Sequence, residues 1–313
     1  MISRLDDFVP KLKYETLMPY KPYNGTAYHY TSLGNINSIL LNNDALCLWA
    51  SRHDCLNDIS EGTLPVSRFE RACKILFESG AITKDFYDLI KDVSPNRTDL
   101  IIPAIKGRAR PFRGEFDTYV ASFSENSDAL AMWNYYSKGN RYEGMNIGVS
   151  SQTLLDSLEK NLNTDHTIKL NMVKVVYDTN EQLKILQTAI LDIFQNYRPE
   201  YNNSVRYCIG TLLASLKPLF KLDYFSHEKE IRLFVNVFKK FKKDIPVCYR
   251  NNAGFVVPYI ELIIARSSVS QITLGPNLGS DEQKNHQRAI VHEMLESRGY
   301  QALVECSKIP VRY

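Results

Sequence analysis

Gly25-Thr26-Ala27-Tyr28-His29-Tyr30-Thr31-Ser32 is the stretch whose reading decides the fold. Aromatic and β-branched residues dominate it. The two-residue period of a pleated strand sends Ala27, His29 and Thr31 to one face and Tyr28 and Tyr30 to the other. Ser32 then stands before Leu33, Ile36, Ile39 and Leu40 at helical spacing and reads as a helix N-cap. A strand that hands His29 and Thr31 to the mouth of a helix is well placed to meet a ribose or a phosphate. The polar loop from Arg52 to Gly62 follows, with Asn57, Asp58 and Glu61 expected to bond nearby backbone amides.

The chain has 313 residues, 44% of them hydrophobic, enough for a large packed core. Its net charge of +3, from 38 basic and 35 acidic residues, makes no global case for nucleic-acid or membrane binding. No apolar run approaches the roughly 20 residues of a membrane span, and the charged N-terminus lacks a signal peptide's apolar segment, so a cytoplasmic location is expected. Its 6 cysteines form no C-x-x-C pair and read as reduced thiols.

Two further strands carry polar side chains at their ends. Phe116 to Ser124 (FDTYVASFS) places Ser122 and Ser124 on one face and Phe123 on the other. Ser127 then reads as the cap of a helix from Asp128 to Tyr136, carrying Trp133, Tyr135 and Tyr136. Near the C-terminal third, FKLDYFSHEKEIRLFVNVF becomes a strand in which Glu228, Glu230, Arg232 and Phe234 share one parity. Between these lie a helical block, with helices read over Pro65 to Ser79 and Ile82 to Val93, and a second block over Glu181 to Tyr197 and Asn203 to Lys217. Ser94 to Gly114, with three prolines and the cations Arg97, Lys106, Arg108, Arg110 and Arg113, reads as a basic loop. Later strands are expected over Gly254 to Ile264, Ser270 to Leu274 and Ala302 to Cys306, with a helix from Asp281 to Ser297. No repeat or linker divides the chain. The expectation is one α+β domain over residues 1–313, with helical insertions at about 65–113 and 179–221.

The spacing excludes several chemistries. There is no H-E-x-x-H, no G-x-S-x-G, no Walker A loop and no G-x-G-x-x-G, and no metal site is expected. A histidine with paired carboxylates suits cleavage of a glycosidic bond through an oxocarbenium-like transition state, one carboxylate facing the developing cation. The same E-x-E-x-R row can also be read as a solvent-facing row with Glu230 and Arg232 paired to neighbours.

The ordered motifs Tyr28-His29-Tyr30-Thr31-Ser32, Asn57-Asp58 with Glu61, Ser122-Phe123-Ser124-Glu125 with Asp128 and Met132-Trp133, Glu228-x-Glu230-x-Arg232, Leu274-Gly275-Pro276, and Ser307 with Pro310 resemble the bacterial domain-of-unknown-function family 2971. More distantly, the order of a first-strand histidine, S-x-S and E-x-E resembles ADP-ribosyltransferases. That resemblance implies a mixed, largely antiparallel split sheet with helical insertions, and NAD as substrate. On it, His29 and Thr31 meet the NAD ribose, Ser122 and Ser124 brace the site, and Tyr30 or Tyr136 stacks on nicotinamide. Glu230 stabilises the cation, Glu228 orients the acceptor, and Arg232 joins the NAD-binding set. The activity it implies is ADP-ribosyl transfer to an unknown macromolecular acceptor, protein or nucleic acid, by a toxin or anti-phage effector. The alternative is a non-catalytic ligand- or partner-binding module of a bacterial defence system. A third reading rests nucleic-acid contact on Arg108, Arg110 and Arg113.

Overall fold

The computed structural model describes residues 2–41, 45–55, 63–95, 99–103, 109–136, 142–162, 168–238, 245–252, 254–277 and 279–311; of 2–3, 99–103, 109–116 and 238 it describes the backbone alone. In chain order the elements are α1 (Ile2–Phe8), α2 (Tyr14–Leu17), β1 (Thr26–Thr31), β2 (Leu46–Arg52), α3 (Leu64–Glu78), α4 (Lys84–Ile90), β3 (Asp99–Pro103) and β4 (Ala109–Ser124). There follow α5 (Leu130–Tyr136), β5 (Met145–Ser150), α6 (Ser151–Asn161), β6 (Ile168–Lys174), α7 (Thr179–Gln195), α8 (Asn202–Leu216) and β7 (Glu230–Phe238). The chain closes with β8 (Cys248–Asn252), β9 (Phe255–Ile264), β10 (Val269–Leu274), α9 (Asp281–Ser297) and β11 (Leu303–Cys306). Among the described residues no helix is long and apolar enough to cross a membrane.

The strands form one 11-stranded mixed sheet. Its main path runs β11, β10, β5, β1, β4, β2, β9, β8; β7 lies along β4, and β6 along β7. Pairing is antiparallel except between β10 and β11. The α and β mixture with one large mixed sheet agrees with the sequence reading. Two apolar layers cover the two faces. On one, the helices α1 to α4, α7 and α8 bury residues such as Phe8, Phe69, Phe86, Ile190 and Leu212 against Val120 and Phe234. On the other, α6 and α9 pack Leu154, Leu158 and Leu295 over Ala27, Phe123, Ile147 and Leu262. The helical segments read as two insertions thus share one layer.

Local signals explain many boundaries. Asp178 caps α7 by accepting from the Glu181 amide at 2.7 Å, and Ser280 with Gln283 forms a reciprocal capping box on α9. Gly80, at φ 73°, lets the chain leave α3 in a left-handed conformation. Gly275 answers a different need. A Cβ there would stand 2.6 Å from the Tyr142 carbonyl oxygen and 3.1 Å from the Gly144 nitrogen, where the two backbones meet in a 2.9 Å hydrogen bond. Gly275→Ala is therefore expected to lower stability by about 1–3 kcal/mol, read as a fall in the thermal midpoint.

Several expectations are corrected. Ser94 to Gly114 is no single loop: β3 and the first half of β4 pair across it, from Asp99 opposite Glu115 to Pro103 opposite Ala109. Arg110 and Arg113 lie on β4, while Arg97, Lys106 and Arg108 fall outside the described residues. After β1 the chain makes a 3-10 turn (Leu33–Asn35) and a π-helical turn (Asn37–Leu41) rather than one α-helix, and the Ser32 side chain caps nothing. Helix α5 begins at Leu130, two residues later than expected. Asp128 instead accepts from Trp133 Nε1 at 2.7 Å, Ser307 Oγ at 2.7 Å and the Lys308 amide at 2.8 Å, tying α5 to the C-terminal segment. Asn57, Asp58 and Glu61 lie outside the described residues. All six cysteines are free, with Cys47, Cys73 and Cys208 buried.

Candidate functional site

The sheet forks at β4. Along one edge, β4 pairs with β7 continuously from Phe116 opposite Phe238 to Ser124 opposite Glu230. Along its other edge two strands meet it at different places: β1 only where Tyr28 faces Ser124, and β2 where Ser51 and Arg52 face Val120 and Tyr119. Between those points β4 has no strand neighbour on that edge among the described residues, and a backbone carbonyl left there needs a donor. His29 supplies it, its Nδ1 standing 3.1 Å from the Ser122 oxygen. A carbonyl only accepts, so Nδ1 carries the proton. Burial holds the imidazole below its ordinary pKa against the opposing pull of that hydrogen bond. The ring is then neutral near pH 7 and keeps a lone pair on Nε2.

The fork opens into a cleft of about 430 Å³. His29, Tyr30, Thr31, Ser122 and Tyr136, drawn from three separate stretches of sequence, all line it. Thr31 Oγ1 accepts from Asn35 Nδ2 at 2.8 Å. Tyr30 is buried, its ring edge-on to Trp133 with centroids 4.7 Å apart and its hydroxyl donating to the Asn126 carbonyl. Tyr136, by contrast, is exposed, so of the two tyrosines it is the one with surface free to stack. Its exposure is that of the ring, for the hydroxyl end is buried, and that burial, then the Glu230 and Glu228 carboxylates, raise the phenol above its ordinary value.

Glu228, Glu230, Arg232 and Ser124 do not line the cleft; they lie on and beside the neighbouring strand. Glu230 is 7% exposed. Arg232 grips its carboxylate with two nitrogens, Nε at 2.8 Å and Nη2 at 3.0 Å, and Lys221 Nζ stands 3.2 Å away. Burial pushes this carboxyl upward, but Arg232, Lys221 and the Ser122 hydroxyl outweigh it and hold the group down at about 2. Of the groups that lower the Glu230 carboxyl, Ser122 is the one that also lines the cleft. Glu228 departs from its expected parity. Lys229 at φ 43° breaks the chain, and β7 starts only at Glu230. Even so, Lys221 also reaches Glu228, at 2.6 Å, and so gathers both carboxylates. Ser124 braces this junction, donating to the Glu228 carbonyl at 2.7 Å and accepting from the Asn126 amide.

The opposite wall was not legible in the sequence. Trp49 and Ser51 from β2 and Arg250 from β8 line it. Arg250 donates through Nη2 to Ser51 Oγ at 2.9 Å, and its guanidinium lies 5.9 Å from the centre of the Trp49 ring. The alternation Trp49, Ser51 was the only local hint of this wall. Among the described residues no group of three His, Cys, Asp or Glu side chains is placed to hold a metal ion. A larger groove, about 810 Å³, runs between α2 and α7; of the carboxylates that line it, Asp192 is already engaged by Thr16 and the Lys13 amide.

A family model described as a protein of unknown function (DUF2971) matches residues 132–233. That stretch runs from Met132-Trp133 on α5 through Glu230 and Arg232 on β7, and leaves His29 and Ser122 outside. The family description names no activity. No curated protein and no solved structure matches the chain.

Proposed function

We propose that the forked-sheet cleft binds NAD and that the chain transfers its ADP-ribose to a macromolecular acceptor, as an ADP-ribosyltransferase-like toxin or anti-phage effector of a bacterium. The observation that supports this reading is that Ser122, at the fork of the sheet, accepts from His29 Nδ1 through its backbone oxygen while its hydroxyl is among the groups that lower the Glu230 carboxyl. In this reading the Nε2 lone pair of neutral His29 accepts from a ribose hydroxyl, and Tyr136 covers the nicotinamide. Ser122 holds Glu230 toward the anomeric carbon. As the bond from that carbon to the nicotinamide nitrogen breaks, its electron pair leaves with nicotinamide, and the ionised Glu230, behind Ser122, stabilises the sugar cation through its charge rather than by contact. The acceptor's nucleophile then bonds to the carbon and gives up its proton to solvent.

A second reading has its own support. Both carboxylate oxygens of Glu230 already accept from Arg232 or Lys221, which offsets much of the charge it offers a cation. The same cleft then serves as a ligand-binding module without transfer. Calorimetric titration with NAD tests what the two share: wild-type protein is expected to bind, and His29→Ala to bind on the order of 10-fold more weakly through loss of one hydrogen bond. Absence of binding heat across temperatures that vary the enthalpy would remove NAD from both readings.

A further inference from the structure

The wall formed by Trp49, Ser51 and Arg250 carries an unmet demand. Arg250 Nε is buried without a hydrogen-bond partner, and Ser32 Oγ, across the cleft at the end of β1, is too. Buried side-chain polar atoms without partners are few in folded chains, and these two line one cavity. Among the described residues Arg250 is paired with no carboxylate, and its Nη2 donates to the Ser51 hydroxyl. A guanidinium in a partly enclosed cleft with an idle N–H calls for an anion. Beside it Trp49 is 42% exposed, with one side packed on Tyr259 at 4.5 Å between centroids.

We infer that this end of the cleft is a phosphate subsite, in which Arg250 from the β2 and β8 wall and Ser32 from the facing side take the phosphates of a nucleoside diphosphate while Trp49 stacks on its base. The inference rests on the cleft being a nucleotide site, and it fixes the direction in which the ligand lies. The phosphates meet the β2 and β8 wall, and the sugar to be attacked points toward His29 and Ser122. Arg250 acts through charge and the planar fork of its donors, Ser32 through its hydroxyl, and neither takes part in bond breaking.

Calorimetric titration with ADP and with adenosine tests it, using wild-type protein, Arg250→Gln, Arg250→Lys and Ser32→Ala. Wild-type protein is expected to bind ADP at least about 10-fold more tightly than adenosine. Arg250→Gln should abolish that preference and leave adenosine affinity unchanged, with Arg250→Lys in between. Ser32→Ala, which removes one buried hydroxyl and no packing, should lower ADP affinity alone. Equal affinity of wild-type protein for the two ligands, no binding of either, or a preference that survives Arg250→Gln would each overturn the subsite. Nicotinamide release is read separately. A preference for ADP without release leaves the subsite standing and removes transfer, and release without the preference does the reverse.

Discussion

Replacing Arg232 with methionine is expected to destabilise the chain by about 3–5 kcal/mol, because it leaves Glu230 as a buried carboxylate stripped of its bidentate partner. The loss comes from breaking the pair, not from removing it. Substituting both residues, Glu230→Leu with Arg232→Met, should return most of the stability, since two well-packed apolar side chains can replace a buried ion pair at little net change. Lys221 keeps a partner in that variant through its 2.6 Å contact with Glu228. Urea unfolding of the three proteins at neutral pH measures the difference directly. The pH dependence gives an independent reading. The Glu230 carboxyl is depressed from its ordinary 4.5 to about 2 in the folded chain. Its contribution is therefore fully present above about pH 4.5 and drains away as the pH falls toward 2. That amounts to about 3 kcal/mol of acid-labile stability, which the double variant should lack. Parallel stability curves for wild-type protein and double variant below pH 4.5 would contradict it.

The sequence made much of this architecture readable where a single local rule decides. Phe116 to Ser124 is rich in β-formers and emerges as part of β4, and Asp281 to Ser297 begins after a serine that does cap it. The parity of Ser122 against Phe123 was also readable, and it separates the apolar layer under α6 and α9 from the face that meets Glu230. What was not readable depends on partners distant in sequence. The first half of β4 is held by pairing to β3 despite its prolines and arginines, so composition alone points to a loop. Ser32 follows a good strand and precedes apolar residues at helical spacing. The chain nevertheless tightens into short 3-10 and π turns, with Leu40 buried against the sheet. Glu228 and Glu230 lie two apart, yet Lys229 takes a left-handed conformation between them, and no strand periodicity foretells that. Arg250 enters the site only because β8 and β9 carry it to β2, nearly two hundred residues from Ser51 in sequence.

This distribution has a chemical consequence. Of the residues legible from parity, His29 and Ser122 line the fork, where a sugar carbon would sit in the proposed reaction, and Glu230 lies behind Ser122 on the neighbouring strand. The residues brought in by topology, Trp49 and Arg250, form the wall that would set which ligand enters. Catalytic competence and ligand choice then separate in mutants. On the proposed reading, Arg250 variants are expected to change affinity for phosphate-bearing ligands, and variants of Ser122 and Glu230 the rate at which a bound dinucleotide is cleaved.

The second large effect is on that rate. Glu230→Gln is expected to reduce nicotinamide release on the order of 100-fold, the scale set by removing one preorganised charge beside a transition state, here acting from behind Ser122. NAD affinity should stay near the wild-type value, since Glu230 does not line the cleft. Ser122→Ala, which keeps Arg232 and Lys221 on Glu230 while cutting its link to the cleft, should lower release by a smaller factor and melt near the wild-type temperature. It thereby separates a loss of chemistry from a loss of folding. The most direct measurement is nicotinamide released from NAD in the presence of cell lysate as acceptor source, compared between wild-type protein, Ser122→Ala and Glu230→Gln at a temperature where all three are folded. The account predicts release by the wild type, less by Ser122→Ala and almost none by Glu230→Gln; equal release by all three, or none by the wild type, would contradict it.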